Sequence, residues 1–150
     1  PYTGILSVFS TRILNNNDIE IYEDGEQSRD FIYIDDVVDA TILALENKRS
    51  SGHIFNIGSG KAVSVNEVAS HLISCFDSEI SLIVSGKFRK GDIRHNFADI
   101  SKATSVLGFN PKINFEEGLK RFVNWVKSQK INIDKYEDSL RILKDKNMIR

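Results

Sequence analysis

Cysteine is nearly absent from this sequence: Cys75 is the only one in 150 residues. That excludes an internal disulfide and fits a reducing compartment, most simply the cytoplasm. Long apolar runs are missing too. None approaches the roughly 20 residues that a membrane helix needs, and no signal peptide opens the chain, so no membrane partner is expected. Charge of one sign is also lacking, with 20 Lys+Arg against 21 Asp+Glu. Without a basic field there is no electrostatic footprint for nucleic acid, and no acidic tail is evident. The three His are scattered, and no His/Cys/carboxylate cluster has metal-ligand spacing. Repeats and low-complexity tracts do not occur. What is present is a hydrophobic fraction of 41%, enough for a packed core. The length suits one domain or a large part of a larger one.

Periodicity divides the chain into short strands and helices, an α/β pattern. Thr3 is expected to cap a helix with Ile5, Val8, Phe9 and Ile13 on one face, ending in the Asn15-Asn16-Asn17 cluster. Ile19 to Tyr22 alternates and reads as a strand feeding the turn Asp24-Gly25. Phe31 to Ile34 reads as a further strand, and Asp35 as the N-cap of a helix with Val38, Ile42 and Leu45 at helical spacing, running out near Asn47. His53 to Ile57 is another expected strand. The loop behind it, Gly58-Ser59-Gly60-Lys61, is neither a P-loop (Phe55 and Ala62 stand where Gly and Ser or Thr are needed) nor a dinucleotide fingerprint, since Val63 replaces the third Gly.

Ser64-Val65-Asn66-Glu67 is a capping box. Val65, Val68, Ala69, Leu72, Ile73 and Phe76 make the apolar face behind it, which puts His71 in solvent and Cys75 in the apolar pattern as a small hydrophobe. Ile80 to Val84 reads as a strand. A short helix after Ser101 stops at Gly108, with Asn110-Pro111 forbidding its extension. Asn114-Phe115-Glu116-Glu117 gives a second capping box, and Leu119, Phe122, Val123 and Val126 line the helix after it, with Trp125 off the stripe. From Lys130 onward the chain is charge-rich. Ile133, Tyr136, Leu140 and Leu143 still recur at helical spacing, so a last helix is expected, with the final few residues loose.

Two stretches hold candidate chemistry. Arg29 stands beside the Asp24-Gly25 turn and is able to grip a phosphate with its planar, always-charged guanidinium. By spacing alone, an ordinary ion pair with Asp30 or another carboxylate explains it as well or better. Arg89-Lys90-Gly91-Asp92-Ile93-Arg94-His95 packs three cations and a histidine into seven residues, which by composition is a solvated loop.

The first stretch, Asp24-Gly25-x-Gln27-x-Arg29-Asp30-Phe31-x-Tyr33-x-Asp35-Asp36-Val37, resembles the signature of the NAD-dependent nucleotide-sugar epimerases and dehydratases, the extended short-chain dehydrogenases. Further matches are Asn56-Ile57-Gly58-Ser59-Gly60, Arg89-x-Gly91-Asp92, Ala98-Asp99-x-Ser101-Lys102-Ala103 and Leu107-Gly108-Phe109-x-Pro111. The resemblance implies that residues 1–128 are the C-terminal, substrate-binding portion of an extended Rossmann-type enzyme, with 129–150 as a helical tail. It also implies site roles. Arg29 and Arg89 would hold the diphosphate of a UDP- or dTDP-sugar, and Asp92 would accept from ribose hydroxyls. Tyr22 would pack against the pyrimidine, although an edge-strand aromatic explains that residue equally. Gln27 would organise the loop or reach the ligand. Lys90, Arg94 and His95 have weaker claims, His95 being as readily a half-buried strand residue.

The rest of such an enzyme has no counterpart here. No Gly-x-x-Gly-x-x-Gly occurs, and Tyr2, Tyr22, Tyr33 and Tyr136 are followed four residues later by Leu6, Glu26, Val37 and Leu140 rather than by Lys. No catalytic and no cofactor-binding residue is therefore expected in this chain. NAD would be bound by a missing N-terminal Rossmann half, and the chain alone would be inactive. The expected function is the nucleotide-sugar-binding portion of a UDP-glucose 4-epimerase-like enzyme. The alternatives are a dTDP-glucose 4,6-dehydratase-like enzyme or a non-catalytic nucleotide-binding or interaction module. Apolar surface left open by the missing half, or covered by a second copy in a homodimer, is expected.

Overall fold

The computed structural model describes residues 4–130 and 133–149; the expected cap at Thr3 lies outside them. In chain order the elements are α1 (Ile5–Leu14), β1 (Ile19–Ile21), β2 (Ser28–Arg29), α2 (Ile34–Glu46), a 3-10 turn at Lys48–Ser50, β3 (Val63–Ser64), α3 (Val65–Phe76), β4 (Leu82–Val84), α4 (Ser101–Leu107), α5 (Phe115–Lys127) and α6 (Tyr136–Asp145). The expected α/β pattern of short strands and helices is present. Among the described residues no helix is long and apolar enough to cross a membrane.

The chain divides into two compact units. The first comprises Pro1–Gln27, Ser64–Arg94 and Leu119–Arg150; the second comprises Ser28–Val63 and His95–Gly118. In the first unit β1 and β4 pair in parallel, with Ile19 opposite Leu82 and Ile21 opposite Val84. A parallel pair requires a crossover, and α3 lies within it. Phe9 and Ile13 of α1, Ile19 and Ile21 of β1, Val68, Ala69 and Leu72 of α3, and Leu119 and Val123 of α5 are buried, so the expected apolar faces of these elements point inward. The Ser64 hydroxyl accepts from Glu67 N while the Glu67 carboxylate accepts from Ser64 N, which is the expected capping box. His71 and Cys75 are half-buried, where the stripe placed the histidine in solvent.

In the second unit Ala40 of α2, Ala103 and Leu107 of α4, and Phe109 form the core, with Ile32, Leu43, Ala44, Phe55, Ile57 and Val106 packed on it. The apolar row that marks α2 in the sequence is not the face that packs. Val38, Ile42 and Leu45 are 49, 46 and 82% exposed, and Ile34, read as a strand residue but opening the helix, is 63% exposed. α4 ends where expected, at Gly108 in the left-handed region (φ 72°).

Two expected strands are absent and one cap is displaced. Phe31 to Tyr33 is irregular and Ile34 is already helical, so Tyr33, not Asp35, is the N-cap of α2. The strand sits earlier, at Ser28–Arg29, because its ladder partner is β3; Ser28 also makes an isolated parallel bridge with His95, and Ser28 O accepts from Asn96 N at 3.1 Å. Phe31 instead stacks on Phe115, ring centroids 5.3 Å apart. Asp36 is buried and accepts from Lys112 N (3.0 Å) and Ile113 N (3.1 Å), tying the first turn of α2 to the segment after Pro111. His53 to Ile57 forms no strand, having no ladder partner among the described residues.

Candidate functional site

The Asp24-Gly25 turn is built as its residues dictate. Gly25 has φ +79°, and any Cβ there would run into the Asn66 amide. Asn66 Nδ2 bonds Asp24 O (3.1 Å) and Glu26 Oε1 (2.8 Å), fastening the turn to the start of α3. Gln27 Nε2 donates to Tyr22 O at 2.9 Å, the loop-organising role expected of it. Arg94 donates to Glu23 Oε2 and Asp24 Oδ2, both at 2.6 Å. Its guanidinium is therefore structural, and it holds the Asp24 carboxyl below its ordinary 3.8.

Arg89 and Asp92 come together in the first unit. Gly91, at φ +82°, turns the loop, Asp92 N donates to Arg89 O at 3.2 Å, and Arg89 Nη1 lies 3.8 Å from Asp92 Oδ2. Glu23, Gly86, Phe88, Lys90 and Gly91 complete the lining of an open concavity of about 550 Å³. Among the described residues, Arg89 Nε is buried without a hydrogen-bond partner. Tyr22 is half-buried and near enough for the Arg89 charge to act on it. Burial is the larger influence and raises its pKa.

The Tyr22 hydroxyl is already engaged, 3.2 Å from that of Tyr136 on α6. The Tyr136 hydroxyl in turn donates to Glu20 Oε2 at 2.6 Å, and Lys87 Nζ sits on the other carboxylate oxygen, Oε1. Burial raises the pKa of Glu20, but the bonds from Lys87 and Tyr136 outweigh it and leave the carboxyl below its ordinary 4.5. Burial and the neighbouring carboxylate hold Tyr136 far above the ordinary phenol range.

Arg29 belongs to the second unit, at the end of β2, where its Nη1 donates to Ser28 O at 2.8 Å. With Asp30, Phe55, Asn56, Asn96 and Phe97 it lines a separate concavity of about 500 Å³. Asp30 is the residue that sequence reasoning undervalued. Considered only as an ion-pair partner for Arg29, it accepts from Ser59 N (2.8 Å), Ser59 Oγ (2.5 Å), Gly60 N (3.0 Å) and Ala98 N (3.1 Å). Burial raises its pKa, yet these donors prevail and the carboxyl sits below 3.8. No local signal points to this, because the partners lie 29 to 68 residues away. His95 is exposed rather than half-buried, its Nδ1 3.0 Å from Ser28 Oγ.

These side chains are suited to holding an anion and a hydroxyl-bearing ligand. Guanidinium groups make charge-assisted bonds to phosphate oxygens, and a carboxylate accepts from hydroxyls.

Likeness to known proteins covers part of each relative. Residues 2–58 match the NAD dependent epimerase/dehydratase family. The dTDP-L-rhamnose 4-epimerase of Burkholderia thailandensis is 37% identical over 125 residues, which is 83% of this chain and 34% of that protein. The UDP-glucuronate 4-epimerase of Thermodesulfobacterium geofontis is 40% identical over 116 residues, 77% of this chain and 35% of the relative. Among solved structures, the UDP-glucose 4-epimerase of Thermotoga maritima with UDP-glucose superposes with a TM-score of 0.78 at 35% identity, covering 85% of this chain and 40% of that one. The chain thus spans between a third and two fifths of the length of these relatives. Over that part it is similar to members of the NAD-dependent epimerase/dehydratase family.

Proposed function

We propose that this chain is the nucleotide-sugar-binding portion of an NAD-dependent sugar-nucleotide epimerase similar to UDP-glucose 4-epimerase. Arg29 and Arg89 grip the phosphates of a UDP- or dTDP-sugar, Asp92 takes the ribose hydroxyls, and Tyr22 lies against the pyrimidine. The observation that carries this reading is the Arg89–Asp92 pair, a cation and an acceptor-only carboxylate 3.8 Å apart on the wall of one concavity. A nucleoside diphosphate offers the complementary set, anionic oxygens near a vicinal diol. The names of the relatives, one dTDP-linked and two UDP-linked, support either base.

The residues present do not fit NAD. The nearest loop in wording, Gly58-Ser59-Gly60, commits its Ser59 and Gly60 N–H groups to the Asp30 carboxylate, and no helix opens directly behind it. The cofactor and the acid/base pair belong to the remainder of a complete, cytoplasmic enzyme, and this chain alone is inactive. Its contribution is binding energy remote from the reacting carbon, which holds the sugar in place. The open row on α2, together with Ile54 at 85% exposure, suits burial against a Rossmann half or a second copy.

The test is calorimetric titration of the complete protein with UDP-glucose and dTDP-glucose. Arg29→Ala and Arg89→Ala each weaken binding by about tenfold or more, the usual worth of a charge-assisted bond. Unchanged affinity in either variant removes that residue from the site.

A further inference from the structure

We propose that the C-terminal segment, residues 133–149, is a positioning strap for the Arg89 loop. On this view nucleotide affinity depends on residues that never touch the nucleotide. The inference rests on the reading of Arg89 as a phosphate clamp.

At its start the loop is held by Glu23 N, which donates to Lys87 O at 2.7 Å, and by the Lys87–Glu20 pair. Gly86 (φ +68°) and Gly91 (φ +82°) bracket it, both in the left-handed region, and most of its side chains are exposed. Around Arg89 and Lys90 its backbone is held from the far end of the chain. After α6, Asn147 takes φ +52° and redirects the chain. Ile149 then forms an antiparallel bridge with Arg89, and Met148 O accepts from Lys90 N at 2.9 Å. Ile149 is 8% exposed, so the expected loose end is packed.

The near end of the segment is anchored independently. Asp134 accepts from Arg12 Nη1 (3.3 Å) and Asn17 Nδ2 (2.9 Å), and the Arg12 guanidinium lies 4.4 Å from the centroid of the Tyr136 ring. With one proton on each hydroxyl, Tyr136 donates to the Glu20 carboxylate and accepts from Tyr22. Leu140 is buried between these anchors. The segment therefore touches two of the proposed nucleotide-binding residues by different means, Tyr22 through a hydroxyl and Arg89 through the backbone. A segment that served stability alone would have no need to end on the loop that carries the clamp.

The experiment is a double-mutant cycle in the complete protein, with UDP as the calorimetric probe. Deleting residues 148–150 removes the backbone bond to Lys90 and is expected to weaken UDP binding roughly fivefold. In an Arg89→Ala background the same deletion is expected to change affinity by less than about twofold, because the residue it positions is gone. An equal loss in both backgrounds, or no loss in the first, overturns the strap and leaves the functional reading standing. An Arg89→Ala variant that binds UDP normally overturns the functional reading itself. Where the deletion does not fold, Ile149→Ala takes its place in the same cycle and is judged by the same coupling.

Discussion

Replacing Asp30 tests whether one carboxylate organises the concavity that Arg29 lines. Asp30→Ala removes the acceptor for Ser59 N, Ser59 Oγ, Gly60 N and Ala98 N. A hydrogen bond to a charged group contributes about 1.5–3 kcal/mol when fully enclosed. Asp30 is only half-buried, and water can take over part of what it leaves, so about 1 kcal/mol for each of three backbone donors is the better figure. The expected loss is about 3 kcal/mol, or roughly 6–12 °C in Tm for a chain of this size. Asp30→Asn recovers less than half of it, since its amide offers one acceptor oxygen and aims an NH2 at groups that are themselves donors.

The charge gives a second readout. The Asp30 carboxyl is held below its ordinary 3.8, so its stabilisation is complete above that value and is lost as pH falls through the folded-state pKa. Urea midpoints measured from neutral pH down to about pH 2 are expected to fall more steeply below 3.8 in the parent protein than in Asp30→Asn. A loss under about 1 kcal/mol for Asp30→Ala, with parallel acid profiles, would mean that the Ser59–Gly60 loop holds its shape unaided.

Gly25→Ala places a Cβ at φ +79° against the Asn66 amide. The backbone penalty alone is about 1–2 kcal/mol, and chemical denaturation is expected to show at least that. Measured against Asn66→Ala, which by itself loses the bonds to Asp24 and Glu26, Gly25→Ala should show only the backbone part. On α2, Ile42→Lys with Leu45→Lys replaces two residues of the exposed row. Sedimentation is expected to show less self-association of the chain by itself. In the complete protein the same pair is expected to lower Tm by several degrees, and an unchanged Tm there would mean that this face stays in solvent.

What was legible in the sequence was local. The Ser64–Glu67 box, the inward stripe of α3 and the stop at Gly108 each depend on residues within a turn or two of one another, and each is present. The strands were harder, because a ladder is decided by its partner. Phe31 to Ile34 has better strand residues than Ser28-Arg29, yet it is Ser28-Arg29 that finds a ladder partner in β3, with an added bridge from Ser28 to His95. His53 to Ile57 has strand composition and nothing among the described residues to pair with.

The site divides along the same line. Arg29 is singled out by a long mixed motif and Arg89 and Asp92 by a short Arg-x-Gly-Asp one, whereas the groups that fix their surroundings carry no motif. Asp30 was visible only as a neighbour of Arg29, although its partners are Ser59, Gly60 and Ala98. Tyr136 was counted as a helix-spacing residue, although its hydroxyl lies 116 positions from the carboxylate it binds. A carboxylate with four donors, or a phenol between a carboxylate and a second phenol, is specified by the fold as a whole. Motif wording singles out candidate binding residues, but the groups that hold them in place have to be read from the hydrogen bonds.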